Sequence, residues 1–409
     1  MIEWSEMHLA MREQVRKFIE KEIAPMRHEL EFGDTPPYDV LRKLVSTFGL
    51  KDLAKMRFDA QIAREKSGKV HDPSRKRSGP EAMNETALQL LMISELCRWS
   101  PGMVTALGVS MGLTANAILA RGTTAQKERW ALDLLTLDKI GAWAITEPGS
   151  GSDAFGAMKA TARRSGDGYV LNGQKTFITN GPYADTIVFI CKLDDGLTPE
   201  SQRKVVSFVL DRGTKGLTQS KPLRKMGLHA SPTGELFLED VVVSRDRLIG
   251  ETEDAPARSA AKETFTAERT GVAAMALGIV EQCLKLCVEY AKGRVQFGKP
   301  IGEFQLVQLK LAKMEVARMN LQNLVFRQIE LSGEGKSMTL AEASACKLYA
   351  AQAAMEVTIE AVQLFGGNGY MSEYQVEQLC RDAKVLQIYG GTDEIQVTHI
   401  ARGLLSNEG

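Results

Sequence analysis

Apolar residues change their spacing twice along this chain of 409 residues. Up to about residue 140 they recur at steps of three and four, the period of a helix with one buried face. Leu9, Val15, Phe18, Ile19 and Ile23 form one such stripe, ending near Pro25. A second helix is predicted from Tyr38 to Phe48, where Gly49 stops it, and two apolar helices rich in Leu, Met and Ala follow over 81–99 and 103–120. From 141 to about 250 the period becomes two, with turn signals between the runs, as strands require. Tyr169 to Thr179 reads as a strand, a hairpin turn at Asn172-Gly173 and a second strand. The runs 187–191, 205–210 and 235–243 continue what reads as a small antiparallel β domain. From about residue 254 the helical period returns. Glu268, Val272, Met275, Ile279, Cys283, Leu286 and Tyr290 make one stripe of a long helix. Four more helices are predicted near 302–331, 339–365, 373–388 and 392–404, with a sharp turn at Gly366-Gly367-Asn368-Gly369.

The pattern divides the chain into units 1–140, 141–250 and 251–409, as expected of a chain too long for one core. One stretch breaks the period: Arg64, Lys66, Lys69, Arg75, Lys76 and Arg77 stand among Gly68, Pro73, Gly79 and Pro80. It reads as a solvated loop, or as a basic rim that meets the phosphates of a nucleotide-bearing substrate. In the 103–120 helix, Ala106, Gly108, Ser110 and Gly112 allow either close helix packing or room for an apolar chain between helices.

Composition narrows the classes. Lys plus Arg equals Asp plus Glu at 51 each, so no overall basic field draws nucleic acid or acidic membrane, and any bound anion is held locally. The six cysteines show no C-x-x-C spacing, which fits a reducing cytoplasm; Cys283 and Cys287 lie one helical turn apart without a nearby His pair, so no metal is expected. The first ten residues carry Glu3, Glu6 and His8, unlike a signal peptide, and no apolar run long enough to span a bilayer is expected.

The chemistry concentrates in Trp143 to Asp153, Trp-Ala-Ile-Thr-Glu-Pro-Gly-Ser-Gly-Ser-Asp. Pro148, Gly149 and Gly151 make a turn that can present N–H groups with the hydroxyls of Thr146, Ser150 and Ser152 to one polar, planar or anionic ligand. Glu268 is the second focus. On an apolar stripe its carboxylate is desolvated, which raises its pKa toward the range of a general base; alternatively it is a first-turn carboxylate favoured by the helix dipole.

Three motifs, Thr146 to Asp153, Lys175 to Gly181 (Lys-Thr-Phe-Ile-Thr-Asn-Gly) and Ile388 to Gln396, resemble in order and spacing the signatures of the acyl-CoA dehydrogenase family. The resemblance is dense from about residue 90 to 405; the 60–85 region lacks the short Pro-Glu-Glu-Tyr-Gly-Gly-like turn that family usually carries. It implies an α+β fold: an N-terminal helical domain, a middle antiparallel β-barrel-like domain and a C-terminal four-helix-bundle-like domain. It also implies a flavoprotein oxidoreductase of the fatty-acid β-oxidation type, which desaturates an acyl-CoA thioester with FAD. Trp143, Ile145, Thr146, Gly151, Ser152, Phe177 and Thr179 match its flavin contacts, as do Gln363, Gly366, Gly367, Thr392 and Glu394. Arg294, with Phe297 and Gln305, matches a contact to the FAD of a neighbouring subunit.

Many members of that family place a catalytic glutamate just before the Gly-Thr of the last motif; here that position is Gly390. The isovaleryl-CoA and long-chain members carry the base at the position of Glu268 instead, with a small residue at the other, and this chain has that combination. The resemblance implies Glu268 as α-proton base and the Gly390 backbone N–H as oxyanion donor. Ser152, Arg269, Tyr389 and Gly391 are placed along the substrate, with Arg269 in a supporting role. It further implies an electron-transfer flavoprotein as electron acceptor, a homotetramer, and a bacterial cytoplasmic location. Rival readings are an acyl-CoA oxidase, a non-catalytic flavin-holding subunit that has lost its base, and a flavin monooxygenase or nitroalkane oxidase on the same scaffold.

Overall fold

The computed structural model describes residues 3–68, 77–254 and 257–406, and of 257–267 only the backbone. The N-terminal helices are α1 (Glu6–Phe18), α2 (Arg27–Phe32), α3 (Tyr38–Thr47), α4 (Leu50–Lys66), α5 (Pro80–Cys97), α6 (Pro101–Leu107), α7 (Ala115–Arg121), α8 (Thr124–Gln126) and α9 (Leu132–Leu135). Strands β1 (Gly141–Ala144), β2 (Thr161–Ser165), β3 (Gly168–Thr179), β4 (Thr186–Leu193), β5 (Val205–Asp211), β6 (Leu217–Gln219) and β7 (Thr233–Ser244) follow. The chain ends in α10 (Ala257–Gly293), α11 (Gln305–Gly333), α12 (Leu340–Phe365), α13 (Gln375–Lys384) and α14 (Asp393–Leu405).

The two helical ends share one continuous core, in which Leu41 and Leu44 of α3 join Val272, Ile279 and Ala350 of the C-terminal helices. The sheet has its own core around Leu171, Phe189 and Phe208. A third cluster, with Trp130, Trp143, Ile145 and Val188, seals the sheet against α4, α7 and α9.

Several expectations are corrected. The sheet is mixed rather than antiparallel: β1 and β2 both pair parallel to β4, while β3, β5, β6 and β7 add antiparallel ladders. Asn172-Gly173 does not turn the chain; β3 runs straight through it, with a bulge between Leu171 and Gly173 against β7. The Asn172 amide donates to Asp240 and the Gly173 backbone, at φ 147°, passes Ala160 too closely for any Cβ, so the pair serves a bulge instead of a hairpin. The hairpin turn lies at 166–167, with Gly166 at φ 55°. In α1, Leu9 is 40% exposed and His8 is buried in its place.

The expected basic loop also changes. Arg64 and Lys66 close helix α4, and Lys66 and Arg77 pair with Glu128 and Glu85 on the surface. Lys69, Pro73, Arg75 and Lys76 lie outside the described residues. Helix α4 escaped the sequence reading because it buries only Phe58 and Ile62, too few to print a stripe. The expectation that no apolar run is long enough for a bilayer is corrected as well. Pro101–Arg121 and Glu268–Gly293 have that length and composition, and both contribute buried residues to the core.

Polar ties fix the domains to one another. Asn180, fully buried at φ 63°, accepts from Tyr38 of α3 at 3.0 Å and donates to the carbonyls of Ala106 and Gly141 at 2.9 Å each. Beside α13, the Leu228 N–H donates to Asp382 at 2.5 Å, and Arg381 reaches Glu31 of α2 at 3.2 Å. His229 completes this junction: its Nδ1 lies 2.6 Å from the Glu31 carbonyl oxygen and its Nε2 2.8 Å from the Lys225 carbonyl oxygen. Carbonyls only accept, so the doubly protonated ring satisfies both. The Glu31 carboxylate, hydrogen-bonded to the ring, raises the His229 pKa from 6.5 against the opposing effect of burial.

A raised folded-state pKa stabilises fully below the unfolded value of 6.5, and that stabilisation is lost as pH rises through the folded value. His229→Gln is therefore expected to lower the melting temperature by ~2 °C near pH ~6 and by almost nothing near pH ~9. Melting curves of both proteins across that range check it, and an equal deficit at both ends would rule it out.

Candidate active site

The site forms where α10 passes the Tyr389–Gly391 turn. Helix α13 runs out through a 3₁₀ turn at Val385–Gln387, and the chain then reverses through two consecutive glycines, Gly390 at φ 63° and Gly391 at φ 93°. Left-handed backbone at two positions in a row demands residues without a Cβ. Thr392 then caps α14, its Oγ1 accepting from the Ile395 N–H at 3.4 Å.

This turn is held from behind. The Gln396 side-chain amide donates to the carbonyls of Gly390 and Gly391 at 3.1 and 2.7 Å, and Arg269 Nε donates to the Gly390 carbonyl at 3.1 Å. With both carbonyls engaged, the Gly390 N–H has no protein acceptor among the described residues. It is a preorganised donor of the kind that stabilises a developing oxyanion.

Glu268 faces the same glycine. A Cβ at residue 390 would stand 3.6 Å from both Cδ and Oε1 of Glu268, so the missing side chain is the space beside the carboxyl group. Burial pushes the Glu268 pKa up to about 7, against the pull of the Arg269 and Lys347 charges. The residue keeps partial surface exposure, so its carboxyl is enclosed yet reachable. Tyr389 extends the wall: its hydroxyl meets Met275 Sδ at 3.4 Å, and burial holds the phenol neutral.

The Trp143–Asp153 stretch divides into a buried and an open part. Trp143 and Ile145 put their side chains into the core cluster that holds Val188. Thr146, Gly151 and Ser152 remain at the surface. The turn is closed by paired backbone bonds between Glu147 and Ser150, and it is anchored by Lys175, wholly buried, which donates to Glu147 at 2.8 Å and to the Ile145 carbonyl at 2.9 Å. Next to it, the Thr176 N–H donates to the Thr146 carbonyl at 2.9 Å. A second bulge of β3 then pushes Phe177 out at φ 56° with its side chain 69% exposed, while Thr179 stays partly buried. An aromatic ring held outward beside a polar turn fits the planar ring of FAD.

The remaining expected cofactor residues sit elsewhere. Arg294 lies 26 positions along α10 from Glu268, about 39 Å at 1.5 Å per residue. Phe297 tips a short hairpin there at φ 52°, 94% exposed, and Gln305 starts α11, also exposed. Gln363, Gly366 and Gly367 end α12 at the same far end, where Phe365 stacks on Tyr290 at 4.0 Å. Thr392 and Glu394 belong to the Glu268 end. The expected residues thus fall into two groups at opposite ends of the bundle.

Sequence reasoning missed Lys175, Glu147, Gln396 and Lys347. Only Lys347 left a signal, as a lone cation on an otherwise small and apolar helix face.

Comparison with known proteins places this geometry. Family models for the acyl-CoA dehydrogenase N-terminal, middle and C-terminal domains match residues 79–138, 142–241 and 258–405. A short-chain-specific acyl-CoA dehydrogenase of Megasphaera elsdenii is 40% identical over 77% of this chain and 81% of its own length. The solved structure of butyryl-CoA dehydrogenase from the same organism superposes with a TM-score of 0.81, at 34% identity over 99% of this chain and 100% of that one. An acyl-CoA dehydrogenase from Bacillus anthracis, solved in complex with FAD, gives 0.80 at 27% identity over 98% of this chain and 67% of that one.

The two glycines of the turn differ in what they tolerate. A Cβ at Gly391 would lie 2.7 Å from Gln396 Nε2, whereas one at Gly390 meets nothing closer than 3.6 Å. Both alanine variants carry a left-handed strain of about 1–2 kcal/mol. Gly391→Ala additionally displaces Gln396, so its melting temperature is expected to fall further than that of Gly390→Ala; the reverse order would refute the holding role of Gln396.

Proposed function

This chain belongs to the acyl-CoA dehydrogenase family, and we propose that Glu268 is the base with which it desaturates an acyl-CoA thioester between Cα and Cβ. The observation that carries this reading is the enclosed Glu268 carboxyl packed against Gly390, whose N–H has no acceptor among the described residues. A thioester α-proton is a weak acid, so a base of suitable pKa and a donor for the carbonyl oxygen must act on the same substrate together. Glu268 takes the α-proton, and the Gly390 N–H receives the charge that develops on the thioester oxygen. Arg269 holds the Gly390 carbonyl, which supports a positioning role for it. Tyr389 and Met275 wall the acyl side, with Gly391 and Ser152 further along the substrate. FAD, when bound, supplies the acceptor for the hydride that leaves Cβ.

Thr146, Gly151, Ser152, Phe177 and Thr179 are the residues we assign to the flavin, with Trp143 and Ile145 shaping the strand beneath. Thr392 and Glu394 join them from α14. Arg294, Phe297, Gln305, Gln363, Gly366 and Gly367 we assign to the flavin of a neighbouring copy, because their distance along the bundle fits no single site. The assembly is then a homotetramer or a dimer within it, built from units 1–140, 141–250 and 251–409. We assign an electron-transfer flavoprotein as acceptor and the cytoplasm as location. A base that is present and enclosed weighs against a non-catalytic subunit.

Anaerobic bleaching of the bound flavin by straight, branched and aromatic acyl-CoAs tests the reading. Glu268→Gln is expected to slow it by about 10²-fold or more; a variant as fast as wild type would place the base elsewhere. Oxygen uptake on acyl-CoA would point to an oxidase. Because the base must be ionised and its pKa is about 7, the wild-type rate is expected to fall tenfold per unit as pH drops below about 7. A rate that stays flat down to pH ~5 would contradict that assignment.

A further inference from the structure

Helix α12 buries a lysine where a small apolar residue would fit better. Around Lys347, the residues Ala343, Ser344, Ala350, Ala351 and Ala354 are all buried, and the lysine side chain is itself 0% exposed. Enclosing an ammonium costs several kcal/mol unless its partners are good. Its hydrogen-bonding partner is Asp393, the first residue of α14, at 3.4 Å, longer than the 2.7–2.9 Å usual for a charge-assisted bond. Asp393 is moreover shared, accepting from Gln387 at 3.1 Å and Gln352 at 3.4 Å. As a staple between α12 and α14 the pair is poor, since an apolar contact would serve as well without the burial cost.

The surroundings give the lysine another use. Asp393 follows Thr392, which follows the Gly390–Gly391 turn, and that turn abuts the Glu268 carboxyl on one side and Arg269 on the other. Among the described residues the charged groups around Glu268 are Arg269 on its own helix and Lys347 on α12; Asp393 and the exposed Glu394 of α14 in turn face Lys347. Tyr389 is neutral. Arg269 has its Nε committed to the Gly390 carbonyl, and Lys347 supplies a second cation to which Glu268 makes no direct hydrogen bond.

We propose that Lys347 is a positioning residue for Glu268: an enclosed positive charge, held by Asp393 beside the Gly390–Gly391 turn, that keeps the base ionised before it meets the acyl α-carbon. This rests on the reading of Glu268 as the base. Removing the cation leaves burial less opposed, so the carboxyl protonates at higher pH.

The test is anaerobic rapid-mixing flavin reduction by saturating acyl-CoA from pH ~5.5 to ~9.5, on FAD-loaded wild type, Lys347→Met, Lys347→Gln, Lys347→Arg and Glu268→Gln. In Lys347→Met the acid limb is expected to move up by about one unit, a rate about tenfold lower on the acid side, with the alkaline plateau kept. Lys347→Arg is expected to keep the wild-type limb, and Lys347→Gln to move it up as Lys347→Met does. The same shifts are read without turnover in the pH dependence of the carboxylic C=O infrared band that Glu268→Gln removes. A merely structural lysine would lower flavin content or the rate at every pH and leave the limb in place, which overturns the proposal. Should Lys347→Met fail to fold, Lys347→Gln takes its place, and an acid limb that stays at the wild-type pH in the folded variant refutes the proposal. If Glu268→Gln is slow while every limb stays put, this inference alone fails; if Glu268→Gln is as fast as wild type, the base assignment fails with it.

Discussion

Desolvation of one carboxyl group is the constraint on which the rest of this site depends. An exposed glutamate is too weak a base for a thioester α-proton, and a buried, unopposed one stays protonated. Glu268 lies between these limits because burial and two cations act on it in opposite directions. Its neighbours follow from that balance. Residue 390 turns through a positive φ, which favours glycine there, and the absent side chain leaves the space beside the carboxyl open. Gln396 and Arg269 hold the carbonyls that would otherwise compete for that geometry.

The turn that follows β1 obeys the same logic with backbone in place of charge. A polar turn at 147–150 and an outward ring at Phe177 come from different strands, and neither would hold its place alone. Lys175 joins them by bonding both Glu147 and the Ile145 carbonyl from inside the sheet, and Thr176 adds a backbone bond to Thr146. A buried pair of this kind is weak evidence of stability but good evidence of register, since only one alignment satisfies both partners. Asn180 extends the same device to the domain boundary, where one side chain binds α3, α6 and β1. The helical core on either side of the sheet is continuous, so a shift at this boundary would reach α10 and its glutamate.

Much was legible in the chain. Helical and strand periods placed many of the elements because one-sided burial imposes them; on α10 the stripe from Val272 to Cys283 is buried, but so is every residue from Val272 to Val280. Glu268 stood out on that stripe, and Gly390 stood out against its family motif, because each breaks a local rule. Where the reading failed, a partner distant in sequence had changed the outcome. Asn172-Gly173 is a hairpin signal in isolation, but Asp240 and Ala160 turn it into a bulge of one long strand. Parallel pairing of β1 and β2 with β4 leaves no local trace, because both neighbours of a parallel pair are supplied by chain crossover.

What the sequence determined by itself was therefore the order of helical and strand regions, the motifs and the pairing of Glu268 with Gly390, all of which depend on near neighbours along the chain. Tertiary structure alone decided that Trp143 and Ile145 face the core while Phe177 faces out, and that Arg294, just past the end of α10, stands far from Glu268. It alone placed Lys347 and Asp393 beside the turn that meets the base. Desolvation and charge act through space, across α10, α12 and α14, and no spacing along the chain encodes that proximity.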